Sequence, residues 1–91
     1  MKKGCLNLKD RFVIDGKEYL LSTVDLPAND KVTSLLFQIA PFETMLFKID
    51  KNGVNWFDLY CERYDSVVEA KKRHNELVKK ARNGIKFWEE E

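Results

Sequence analysis

The stretch SVVEAKKRHNELVKKARNG, residues 66–84, decides the fold. Ser66-Val67-Val68-Glu69 opens it with a capping box, in which the Ser66 hydroxyl accepts from the Glu69 amide and Glu69 reaches back to the Ser66 amide. At about 100° per residue, Val67, Ala70, His74, Leu77, Val78 and Ala81 fall on one apolar stripe, as expected of a surface helix. Asn83-Gly84 supplies the stop, and Lys79, Lys80 and Arg82 suit the negative end of the helix dipole.

Such a stripe must be buried against a second layer. Upstream of residue 66 the hydrophobic period becomes two. In Glu43–Asp50, Met45, Phe47 and Ile49 share one parity, with Thr44 and Lys48 among those on the other. Asp15-Gly16, between Arg11–Ile14 and Lys17–Leu26, reads as a hairpin whose second arm carries Tyr19, Leu20, Leu21, Thr23 and Val24. Pro27 and Ala28-Asn29-Asp30 read as loop, and Val32–Ala40 is a further strand candidate, ended by Pro41. Asp50-Lys51-Asn52-Gly53 is a turn. Val54–Tyr64 then returns as strand over Leu59–Arg63, with Trp56-Phe57-Asp58 expected as a loop or bulge.

The expected fold is therefore α+β: a small antiparallel sheet of three to four strands with one C-terminal amphipathic helix packed on one face. The other face is left for solvent or a partner. The 91 residues make a single domain, with residues 1–9 and 86–91 expected as looser ends, although Ile85, Phe87 and Trp88 are apolar enough to dock.

Apolar residues form 44% of the chain and charged residues 34%, a globular balance with a thin core. The formal net charge of +1 marks neither a basic nucleic-acid binder nor an acidic mimic, so any electrostatic signal is local. Cys5 and Cys61 show no CxxC or Cys/His spacing, so two reduced thiols are the simpler reading, and a Cys5–Cys61 bridge stays open. Asn7, Lys9, Asp10 and Arg11 interrupt any signal-peptide run after Met1-Lys2-Lys3, and nothing approaches a membrane span. A cytoplasmic protein is expected.

Three segments carry a family likeness: Ser22-Thr23-Val24; Phe42-Glu43-Thr44-Met45-Leu46-Phe47; and Glu62-Arg63-Tyr64-Asp65-Ser66 followed by Glu69-Ala70 and His74. Together, over about residues 19–80, they resemble a family of small phage and prophage proteins of unknown function. The resemblance implies phage origin and action inside a bacterial host, and supplies no reaction. Members often carry an Asp-His pair and Gly-rich residues after the first segment; Leu26-Pro27-Ala28-Asn29-Asp30 has no His. The Gly that usually precedes the helix His is Arg73. A two-histidine site, if members use one, would lack one half in this chain.

His74, the only histidine, centres the helix's apolar stripe. It reads first as a buried imidazole hydrogen-bonded to a sheet residue, and second as a general base, ligand or pH-sensitive group. Glu43 shares the parity of Met45, Phe47 and Ile49, so it is expected to point towards the helix and form a buried polar pair with His74. The helix sets Lys71, Lys72, Arg73, Lys79, Lys80 and Arg82 against Glu69 and Glu76. That is either a phosphate-facing surface or a solvated face with Glu69–Lys72, Glu69–Arg73, Glu76–Lys79 and Glu76–Lys80 pairs. Trp56, Phe57 and Tyr60 are candidate interface anchors, and Phe87-Trp88 reads as cover for the end of a thin core. No phosphate loop, nucleophile elbow, zinc motif or complete calcium loop is present, and no cofactor or metal is expected.

The leading expectation is a phage-derived, non-enzymatic interaction module that binds a host or phage protein through Trp56, Phe57 and Tyr60, with an inhibitor of host defence as one case. A nucleic-acid-binding accessory protein using the basic helix comes second, and an enzyme or ligand binder around Glu43 and His74 third. A homodimer through a sheet edge is a further expectation.

Overall fold

The computed structural model describes residues 6–25 and 41–89. The strand expected over residues 32–40, and Cys5, lie outside the described residues. Within them the chain forms β1 (Asn7–Ile14), β2 (Lys17–Asp25), β3 (Phe42–Asp50), β4 (Gly53–Tyr64), the helix α1 (Val67–Arg82) and a terminal 3-10 turn (Phe87–Glu89). The four strands pair antiparallel in the order β1-β2-β3-β4, and α1 packs on one face of the sheet. Among the described residues no helix is long and apolar enough to cross a membrane.

Local chemistry sets the boundaries. Asp15 and Gly16 both take positive φ, 55° and 77°, which makes the two-residue turn whose twist matches its flanking strands. Ser66 caps α1 by accepting from the Glu69 amide at 3.1 Å. At the other end the Ile85 amide donates to the Lys80 carbonyl and the Gly84 amide to the Ala81 carbonyl, a closure that needs the left-handed φ of 81° at Gly84.

Residues 6–9 and 86–89, expected as parts of looser ends, are held in the fold. Leu6 is buried, β1 is paired from Asn7 onward, and Phe87 is buried. Trp88 lies 4.8 Å from the Tyr19 ring and 6.5 Å from that of Phe12. The helix buries Ala70, His74, Leu77, Val78 and Ala81 against the sheet, while Val67 is exposed.

The helix-side core divides in two. Phe12, Ile14, Tyr19, Leu21, Leu46, Leu77, Val78, Ala81 and Phe87 form the larger part, and Leu6, Tyr64 and Ala70 the smaller. Among the described residues, Thr23, Thr44 and His74 are the buried polar side chains of this face. On the face turned away from α1, Leu20, Ser22 and Phe47 are buried as well, so the centre of that face is not open.

Candidate functional site

Leu21 pairs with Leu46, and both belong to the core beneath α1. This register puts the even-numbered residues of β3 under the helix, and Thr44 with them, beside Thr23. Glu43, with Met45 and Phe47, faces away. The expected Glu43–His74 pair therefore does not form. The alternation of β3 holds, but Leu46 and Thr44, not Met45 and Phe47, take the helix side.

His74 is 1% exposed and bonded at both ring nitrogens. Nε2 lies 2.8 Å from Asp10 Oδ2, and Nδ1 lies 2.7 Å from Thr23 Oγ1. Thr23 Oγ1 is 2.5 Å from Thr44 Oγ1. An ionised carboxylate only accepts, so Nε2 must carry a proton. With the ring neutral, the polarity is then fixed: Thr44 donates to Thr23, Thr23 to Nδ1, and Nε2–H to Asp10. Arg82 donates to the other oxygen of Asp10 at 3.4 Å. The order carboxylate, imidazole, hydroxyl is that of a relay for activating a nucleophile. Both threonines are fully buried, however, and no reacting atom can reach them. The chain of bonds ties β1, β2 and β3 to α1.

A second cluster joins β4 to the helix. Glu62 Oε1 accepts from Tyr64 Oη at 2.9 Å, from Tyr60 Oη at 3.1 Å and from Arg73 Nε at 2.9 Å. Burial pushes the Glu62 carboxyl up, but the hydrogen bonds from Arg73, Tyr64 and Tyr60 outweigh it and hold it below the usual range. Burial raises the Tyr64 and Tyr60 phenols. Tyr60 thus faces the helix side, with its ring 5.1 Å from that of Phe87, and leaves the proposed contact surface.

Trp56 and Phe57 do the opposite. Asn55 pairs with Lys48 and Tyr60 with Leu46, so Trp56, Phe57, Asp58 and Leu59 all stand opposite Phe47 alone. The surplus is extruded as a bulge on an edge strand. Trp56 is 71% exposed, Phe57 81% and Leu59 44%. Asn55 Oδ1 accepts from the Phe57 amide at 3.2 Å, and the Trp56 ring meets Phe47 edge-on at 5.0 Å. Farther along the same face, the Cys61 thiol donates to Glu43 Oε2 at 3.3 Å. Burial, then the Glu43 hydrogen bond and the charges of Glu43 and Asp58, push this exposed free thiol up to about 11, with Arg63 opposing them.

The basic helix is partly neutralised. Arg73 bonds Glu62 and, at 3.3 Å, Glu76, so Glu76 pairs one turn back. The Glu62 hydrogen bond raises the Arg73 guanidinium further. Arg82 is held by Asp10. Lys71, Lys72 and Lys79 stay exposed, and Lys79 and Lys80 line an open groove of about 330 Å³ with Glu76, Asn83 and Ile85. Among the described residues no three His, Cys, Asp or Glu side chains gather to hold a metal.

Sequence reasoning missed Asp10, Thr23, Thr44 and Glu62. The legible signal was Thr23 on the parity of Tyr19 and Leu21: a hydroxyl on a buried face requires a partner. Comparison with family models, with curated proteins and with solved structures gives no match.

Proposed function

We propose that this chain is a small non-enzymatic interaction module whose contact surface is the β4 bulge, with Trp56 and Phe57 as anchors and Leu59 beside them. One observation carries the reading: the register gives four consecutive residues of β4 only Phe47 to face, and the two large aromatic rings stand in solvent. Aromatic anchors on a well-braced backbone are the residues on which interfaces concentrate their energy. The sealing of His74 and the separation of Glu43 from it argue against the enzyme reading built on that pair. The phage resemblance makes a host or phage protein in the bacterial cytoplasm the partner of choice, an inhibitor of host defence being one case.

Nucleic-acid binding through α1 is the second reading. It keeps the exposed Lys71, Lys72 and Lys79, but Arg73 and Arg82 are engaged by carboxylates. Pull-down from bacterial lysate, with and without nuclease, separates the two. A protein captured by the wild type and lost with Trp56→Ala/Phe57→Ala supports the bulge. Capture that needs nucleic acid and is lost with Lys72→Glu/Lys79→Glu moves the site to the helix and refutes the proposal.

A further inference from the structure

We infer that the two polar clusters beneath α1 are one continuous hydrogen-bonded line across the sheet, and that a single proton on His74 sets its direction from Asp10 to Glu62. This holds whether or not the bulge is the contact surface.

The line crosses every strand. Asp10 lies on β1, Thr23 on β2, Thr44 on β3, and Tyr64 and Glu62 on β4, with His74 between the first two. Thr44 is the joint. Its hydroxyl lies 2.5 Å from Thr23 Oγ1 and also bonds the Tyr64 phenol, where burial raises the phenol and this bond opposes the rise. Strand register places it there: Thr44 is level with Thr23 on one side and with Glu62 on the other, and Tyr64 follows two residues along. Thr23 and Thr44 are 0% exposed, His74 1% and Tyr64 4%, so bulk water supplies no missing hydrogen.

The hydrogens available separate two states, because each hydroxyl has one to give. With the ring neutral, Thr23 gives its hydrogen to Nδ1, Thr44 to Thr23 and Tyr64 to Glu62. Thr44 and Tyr64 then meet oxygen to oxygen, with no hydrogen between them. With the ring charged, Nδ1–H donates to Thr23, Thr23 to Thr44, Thr44 to Tyr64 and Tyr64 to Glu62, and every contact has its hydrogen. The one added proton sits on Nδ1; each hydroxyl keeps its own hydrogen and only turns. A chain in which each bond polarises the next carries that change to β4.

Charged and titratable groups surround the ring from every neighbouring element. β1 supplies Asp10, and β4 supplies Glu62, Tyr60 and Tyr64. β2 sets Asp25 beyond Thr23, held by the Leu6 amide, and β3 sets Lys48 beyond Leu46. On α1, Arg82 holds Asp10 and Arg73 holds Glu62. A carboxylate therefore stands at each end of the line, facing the charge that the ring acquires.

NMR of the isotopically labelled full chain tests this. Long-range 1H–15N correlations read the charge and tautomer of the His74 ring as pH is lowered from alkaline values, and the Tyr64 ring carbons report the far end. The ring is expected to begin as the Nε2–H tautomer, and Tyr64 Cζ should shift at the same midpoint at which Nδ1 gains its proton. Over that step the nuclear Overhauser contacts of the Thr44 hydroxyl proton should pass from Thr23 to Tyr64. Thr44→Val should abolish the Tyr64 response while His74 still titrates, and Thr44→Ser should keep it. If Thr44→Val does not fold, the hydroxyl contacts in the wild type decide alone. A Tyr64 response that survives Thr44→Val, a Thr44 hydroxyl that keeps its direction, or a ring that holds one charge state for as long as the protein stays folded overturns the inference.

Discussion

Thr23 donates to His74 Nδ1 when the ring is neutral, and its hydroxyl is wholly buried. Thr23→Val keeps the shape of the side chain and leaves that nitrogen without a donor. The cost should be about 1–3 kcal/mol, read from urea denaturation. Thr23→Val combined with His74→Leu removes both ends of the bond, and should fall short of the sum of the two single losses. Cys61 offers a second residue-scale check. With the thiol pushed up to about 11, about one molecule in a thousand carries the thiolate at pH 8. In a Cys5→Ser background, Cys61 should therefore react slowly with a disulfide reagent despite its exposure. Glu43→Gln removes a charge that opposes ionisation, and should speed the reaction several-fold. The His74 relay was half visible in the sequence. A histidine on an apolar stripe announces a buried imidazole, but its partners lie 51 and 64 residues away and depend on strand register.

Elements with local instructions were the most legible. The capping serine, the Asp15-Gly16 turn and the closing Gly84 are local chemistry, and each stands where the sequence places it. Gly84→Ala puts a side chain at φ 81°, where its Cβ would touch nothing. The cost is conformational, about 1 kcal/mol, and should appear as a lower unfolding midpoint. β3 shows where local reading stops. Its alternation was plain, but the odd parity holds Met45, Phe47 and Ile49 and the even parity holds Leu46, and both Leu46 and Phe47 are buried. An inner strand covered on both sides does not declare which side the helix takes. Leu21 opposite Leu46 decides it. The irregularity expected at Trp56-Phe57-Asp58 is present and extends to Leu59, but Tyr60 stands outside it. The register resumes at Tyr60, which turns the ring to the helix side. Phe57→Ala should accordingly leave stability within about 0.5 kcal/mol of wild type, whereas Trp56→Ala also loses the edge contact to Phe47.

Across the whole molecule, ion pairs join the two layers. Asp10 on β1 holds Arg82 of α1. Glu62 binds β4 to the helix through Arg73, and its carboxyl is held below the ordinary glutamate range. A depressed carboxyl stabilises the fold above the unfolded value of about 4.3, and loses that contribution as pH falls through the folded value. Unfolding midpoints should thus drop below about pH 4.5, and Glu62→Gln should lower the midpoint at neutral pH and flatten the acid decline.

The central claim is that the molecule meets its partner at the bulge, and a photo-crosslinking amino acid in place of Phe57 tests it most directly. Irradiated in a bacterial host, it should give a discrete protein adduct, while the same group in place of exposed Val68 on α1 should give none. An adduct from position 68 with none from position 57 would contradict the account.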